Sequence, residues 1–167
     1  ENGLKPNSDN GIVNISSSDY VNWNAAFTTG AINISSGGTL ISSASVTGSV
    51  TYNRNLGTTN WYLMSSPVAG ETYNDTYVTA NSIASGTGSN RGIAPYVTSD
   101  DSWGYMQAGD VDATFTAGSG YSVKRSSAGD ISFTGTLNTD NAGVNVTLSN
   151  AGYRFNLLGN PYTSHIA

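Results

Sequence analysis

The stretch IVNISSSDYV (12–21) recurs as AINISSGGTL (31–40), and a looser third copy begins at SVTYN (49–53). The copies are offset by 19 and then 18 residues, a period of the size that solenoid arrays use to stack one β coil per turn. In each copy apolar residues alternate with polar ones: Val13 and Ile15, Ile32 and Ile34, Val50 and Tyr52. Alternation of period two turns those six residues to one side of their strands and Asn and Ser to the other. Stacked coils would pair the copies in parallel, with the six residues in register in one core. A β-meander, the other reading, would pair them antiparallel. Because about three coils are needed to bury a continuous core, further coils are expected upstream of Glu1.

From Gly57 the texture changes to longer alternating runs parted by Gly, Asn and Asp. NWYLMSS places Trp61 and Leu63 on one face, and SWGYMQ places Trp103 and Tyr105 together. GYSVKR sets Tyr121 with Val123, and DISFTGTL sets Ile131, Phe133 and Leu137. GVNVTLS aligns Val144, Val146 and Leu148, and YRFNLLG aligns Tyr153, Phe155 and Leu157. Such runs predict half-buried antiparallel strands. Only TYVTANSIASG (76–86) has any helical periodicity. The expected fold is therefore all-β: a short β-solenoid-like repeat segment (1–56), the end of a longer repeat region, followed by an antiparallel β-sandwich or open barrel (57–167). Within the second part, Trp61 to Pro67 and Phe155 to Pro161 share one outline, aromatic, x, Leu, apolar, two small or polar residues, Pro. Each reads as a core strand running into a Pro-marked turn, with chance strand grammar as the alternative to equivalent places in one sheet.

Charge narrows the function classes. Only 10% of residues are charged, against about 25% in ordinary soluble domains, so Ser, Thr, Asn and Gly do the solvating. That balance fits an extracellular β protein better than disorder. A net charge of −5 with six Lys and Arg offers no basic stripe for nucleic acid or anionic membranes. No apolar run reaches the ~20 residues of a membrane helix, and the absence of Cys excludes a disulfide scaffold and a thiolate metal site.

GSVTYNRNLGTTNWYLMSSPVAG, SIASGTGSNRGIAPY, GSGYSVKR, ISFTGTLN and FNLLGNPY, in that order, resemble an uncharacterised β-rich module of large Bacteroidetes cell-surface proteins. The likeness covers about residues 30 to 162. It implies Gly/Thr/Ser-rich β repeats before the module and, after it, a C-terminal sorting domain read by the type IX secretion system. TSHIA (163–167) departs from the usual continuation of the GNPY motif. The resemblance thus implies a piece of a longer secreted protein, cropped at its C-terminus, with flanking domains of the same chain and the secretion machinery as partners. It brings no catalytic residues with it.

Catalysis is poorly supplied. The only histidine is His165, and Glu71 is the only internal glutamate, which leaves little for a triad or a carboxylate pair. Asp100, Asp101, Asp110 and Asp112 flank an expected hairpin. Oxygen ligands at i, i+2 would suit Ca²⁺, while solvated turn carboxylates are the ordinary reading. No other cofactor is suggested. Trp103 and Tyr105, with Tyr96 nearby, form either core plugs or an aromatic platform for surface glycans. GTGSNRG (86–92) lacks the Lys and the following helix of a phosphate cradle and reads as a flexible loop with Arg91 pinning it. Sequons at Asn14, Asn33, Asn74 and Asn145 are what chance supplies in so Asn- and Ser-rich a chain. The expectation is a non-catalytic secreted or cell-surface structural or adhesion module, with a carbohydrate-binding module centred on Trp103 and Tyr105 as the alternative.

Overall fold

The structure, a computed structural model, describes residues 11–139, 141 and 143–164. It opens with β1 (Ile12–Ile15), β2 (Tyr20–Trp23), β3 (Phe27–Ile34), β4 (Thr39–Ser42) and β5 (Val46–Leu56). β1, β3 and β5 pair in parallel: Val13 lies beside Ile32 and Ile15 beside Ile34, and these in turn lie beside Val50 and Tyr52. β2 and β4 form a second parallel ladder, Val21 beside Leu40. This register is the one that offsets of 19 and 18 require, not that of a meander. Ile15, Ile32, Ile34 and Val50 are buried, and Val13 and Tyr52 pack against them. On the outer face Asn33 Nδ2 donates to Asn14 Oδ1 at 3.1 Å, so the repeated polar residues also stack. The turns crowd as well: at Gly37, with φ +90°, a Cβ would lie 2.7 Å from the Ser17 carbonyl oxygen. A side chain would be strained there twice over, which is why SSSD in the first copy becomes SSGG in the second.

The chain continues through β6 (Trp61–Met64), β7 (Val68–Ala69), β8 (Thr72–Tyr73), α1 (Asp75–Ala80), β9 (Ile93–Val97), β10 (Ser102–Trp103), β11 (Ala113–Thr114), β12 (Tyr121–Lys124) and β13 (Gly129–Leu137). β13 runs antiparallel to β5 from Gly129 beside Leu56 to Gly135 beside Val50, and β7 closes its other edge. One mixed sheet, β1-β3-β5-β13-β7, therefore passes across position 56. A four-stranded antiparallel sheet has the order β10-β9-β12-β6, and β8 pairs with β11. The two parts share one core. Its centre is aromatic, with Phe115 in contact with Tyr73, Tyr77, Tyr121 and Phe133.

α1 falls at the start of the only helical window in the sequence. Asn74 caps it, Oδ1 accepting from the Tyr77 amide, and Asn74 Nδ2 donates to Asp112, so this sequon is engaged in the fold. Just before the helix, Glu71 Oε1 accepts from the Thr72 amide and Oε2 from the Thr134 amide. Burial raises the Glu71 carboxyl above its ordinary value, and the two amide bonds oppose the shift without cancelling it. An acid with a raised folded pKa holds its proton longer in the native state, so its contribution to stability is largest below the unfolded pKa and is lost as pH rises through the folded one. Glu71→Gln is expected to flatten the fall in stability on raising the pH above about 4.5. Urea midpoints measured from pH 4 upward check this, and identical slopes for the two proteins would refute it.

Two expectations are corrected. Residues 143–158, which contain GVNVTLS and YRFNLLG, form no strand. Their alternation finds no ladder to join. The segment folds on itself instead, Asn156 Oδ1 accepting from the Ser149 amide and Nδ2 donating to the Ser149 and Arg154 carbonyls, and a lone bridge joins Leu158 to Ser119. In SWGYMQ only Ser102–Trp103 is strand. In WYLM Trp61 and Leu63 do share a face, and it is the outward one: Tyr62 lies beside Val123 and Met64 beside Tyr121, which turns Tyr62 and Met64 inward.

The repeated outline has a spatial counterpart. Met64 lies beside Tyr121, while the Gly120 amide donates to the Leu157 carbonyl and the Gly159 amide to that of Gly118, both at 2.9 Å. Both copies thus border the strand through Gly120, and Ser65 Oγ joins them by donating to the Asn160 carbonyl at 2.7 Å. Only the first copy is itself a strand.

Candidate ligand-binding face

The site is built on the β10-β9-β12-β6 sheet. Alternation sends Ile93, Tyr121 and Val123 into the core, where all are buried. The same alternation sends Tyr96, Lys124, Leu63, Trp61 and Trp103 to the other side. Past β10 the chain keeps following β9, the Gly104 amide donating to the Pro95 carbonyl and that of Met106 to Ile93, both at 3.0 Å. Tyr105 is thereby placed opposite Ala94 on the outward side while Met106 is buried. Trp61, Leu63, Trp103 and Tyr105 remain 47%, 65%, 38% and 37% exposed. Large apolar groups thus cluster on the outward face of this sheet.

The rings form two pairs. Trp103 meets Tyr96 edge to face at 5.5 Å, and Tyr105 meets Trp61 at 5.9 Å. The Tyr96 hydroxyl donates to Asp101 Oδ1, and that bond holds the phenol above its ordinary range. Beside the second pair opens a cavity of about 280 Å³, lined by Trp61, Tyr105, Lys124, Asn90, Arg91 and residues 84–87. Lys124 Nζ stands 5.7 Å from the centre of the Trp61 ring, within cation–π reach. The loop that walls the cavity is braced: Gln107 Nε2 donates to Asn90 Oδ1 at 2.6 Å and Ser89 Oγ to Gln107 Oε1 at 2.7 Å. At Gly92 a Cβ would lie 2.5 Å from the Lys124 carbonyl oxygen, so only glycine lets the loop lie this close to β12. GTGSNRG is thus a pinned wall rather than a free loop, and Arg91 does pin it, Nη1 donating to the Ser89 and Asn90 carbonyls at 3.3 Å.

The four aspartates do not converge. Asp100 and Asp101 sit in the β9–β10 turn, whereas Asp110 accepts from the Gln107 amide and Asp112 from Asn74. The expected hairpin linking the two pairs is absent because the chain turns away from β9 after Gln107; Asp110 and Asp112 lie outside β11, so strand alternation does not align them. Among the described residues no three His, Asp or Glu side chains come together as metal ligands. His165 lies outside the described residues. Trp61, Lys124 and Arg91 were missing from the site expected from sequence. In WYLM both alternating faces are apolar, so period alone cannot tell which one is outward.

A larger cavity, about 300 Å³, lies between the two copies of the repeated outline and is lined by Tyr52, Arg54, Leu63, Leu157 and Tyr162 among others. It lacks a pair of exposed stacked rings. Among the described residues no helix is long and apolar enough to cross a membrane. Comparison of the chain with protein-family models, with curated proteins and with solved structures finds no match. The class that can be stated is therefore structural: an all-β protein in which parallel ladders continue into antiparallel sheets, one of them with an open aromatic face.

Proposed function

We propose that this protein is a non-catalytic adhesion module of a secreted or cell-surface protein, and that it binds glycans on the outward face of the β10-β9-β12-β6 sheet. The observation that supports this is the exposure of Trp61, Trp103 and Tyr105 on one sheet face, beside a polar-rimmed cavity. Sugar rings present C–H groups that stack on aromatic faces while their hydroxyls need hydrogen-bond partners, and the polar side chains of Ser85, Thr87, Asn90 and Lys124 belong to residues that line the cavity. Sparse charge and the likeness to Bacteroidetes surface modules support the location, and with it a parent chain with flanking domains. A second role as stalk or spacer is favoured by the parallel ladders, whose per-coil addition suits an elongated array.

Glycan-array screening followed by calorimetry tests the binding role. Trp61→Ala is expected to weaken the captured glycan about tenfold, or about 1.4 kcal/mol, with an unchanged far-UV spectrum. Retention of no glycan, or equal retention by the variant, would overturn it.

A further inference from the structure

The cavity beside Trp61 differs in charge from the rest of the chain. Acidic residues outnumber basic ones eleven to six, yet Lys124 and Arg91 both line this cavity and no Asp or Glu does. The two cations are held differently. Arg91 is pinned by backbone carbonyls and stands 4.0 Å from Asp75, the single ion pair among the described residues. Lys124 has no carboxylate within ion-pair distance among the described residues and rests over the Trp61 ring. A half-buried ammonium with only a π face for company retains most of its capacity to bind an anion.

We propose that the cavity selects acidic sugars, those carrying a carboxylate such as uronic acid residues, with Lys124 taking the carboxylate and the Trp61 and Tyr105 rings taking the pyranose faces. This rests on the glycan reading above and deepens it. A carboxylate on a sugar ring lies a few ångströms from the C–H face that stacks, which matches an ammonium poised beside a Trp ring. Arg91 adds positive potential from the cavity wall, and its fixed position means that little is lost in ordering it. Neutral hexoses would use the same rings without satisfying Lys124. A net charge of −5 works against diffuse attraction of anions, so the selectivity is assigned to this local pair.

The test compares matched probes: oligogalacturonate and its methyl-esterified, neutral form, with binding measured by calorimetry and by Trp fluorescence. The acid is expected to bind about tenfold more tightly than the ester, and to lose most of that advantage between about 50 and about 500 mM NaCl as the charges are screened. Lys124→Met keeps an unbranched side chain beside Trp61 and removes the charge; it should abolish the preference for the acid over the ester. Equal binding of acid and ester by the native protein would overturn the acidic selectivity while leaving the glycan reading standing. A Lys124→Met variant that keeps the preference for the acid would overturn the role of Lys124. Binding of neither probe, with none of the acidic glycans on an array captured, would remove the inference, and capture of neutral glycans alone in that experiment would show that the glycan reading survives without it.

Discussion

Phe115→Ala is expected to lower the free energy of unfolding by about 3–5 kcal/mol, the range for emptying a fully buried phenyl site. Phe115 is 1% exposed, and its ring lies 4.7 Å from that of Tyr73, 4.9 Å from Tyr121, 5.3 Å from Tyr77 and 5.3 Å from Phe133. Those partners belong to β8, β12, α1 and β13, so one side chain ties together elements that share few backbone bonds. The surrounding rings are rigid and cannot collapse into the void without breaking bonds of their own, such as that from the Tyr77 hydroxyl to the Ser132 carbonyl at 3.0 Å. Against a typical total of about 5–15 kcal/mol, the loss is a large share of stability. Phe115→Leu, which keeps most of the volume, should cost much less. Urea denaturation measures both, and a change below about 1 kcal/mol for the alanine variant would show that Phe115 is not the hub.

Ile32→Asp should have an effect at least as large. Ile32 is the middle member of the row Val13, Ile32, Val50 and is fully buried. No cation lies in that row, so a carboxylate there either ionises without a partner or takes up a proton. The expected loss is above about 4 kcal/mol at neutral pH. It should shrink on acidification, because a buried acid has a raised folded pKa and the penalty grows only as pH climbs above the unfolded value. Ile12→Asp, at a position 64% exposed on the outer face of the same ladder, is the control and should stay within about 0.5 kcal/mol. Because β5 is bonded to β3 on one side and β13 on the other, the Ile32 variant should lose near-UV signal from the aromatic core in the same transition. A native-like thermal transition for Ile32→Asp would overturn the buried register.

Some of this was legible before any coordinates. The repeat offered two registers, parallel coils or an antiparallel meander, and the stacking of Ile32 beside Val13 and Val50 decided for the parallel one. DISFTGTL read as a core strand because Ile131 and Phe133 have one strongly apolar face and one polar face, and the single weak helical window holds the single described helix. The reading of the last segment failed for a specific reason. YRFNLLG alternates as well as any strand, but its polar groups bond within the segment through Asn156, and it meets the rest of the chain's backbone through residues 118–120 instead of forming a ladder. Phe115 escaped notice because ATF is too short to show a period.

For the candidate site the division is sharper. Sequence alone established an all-β chain with sparse charge and a repeated alternating stretch, because alternation and composition are local properties. It also pointed to Trp103, Tyr105 and Tyr96 as a group, because they are near neighbours along the chain. Which of their faces meets water depends on what packs against the opposite side of the sheet. Only the tertiary structure decided that, by pairing Tyr62 and Met64 with the buried Val123 and Tyr121. That pairing turns Trp61 outward, places it beside Tyr105 and Lys124, and brings Arg91 to the same cavity from a loop distant in sequence, a convergence set by long-range contacts that no local pattern encodes.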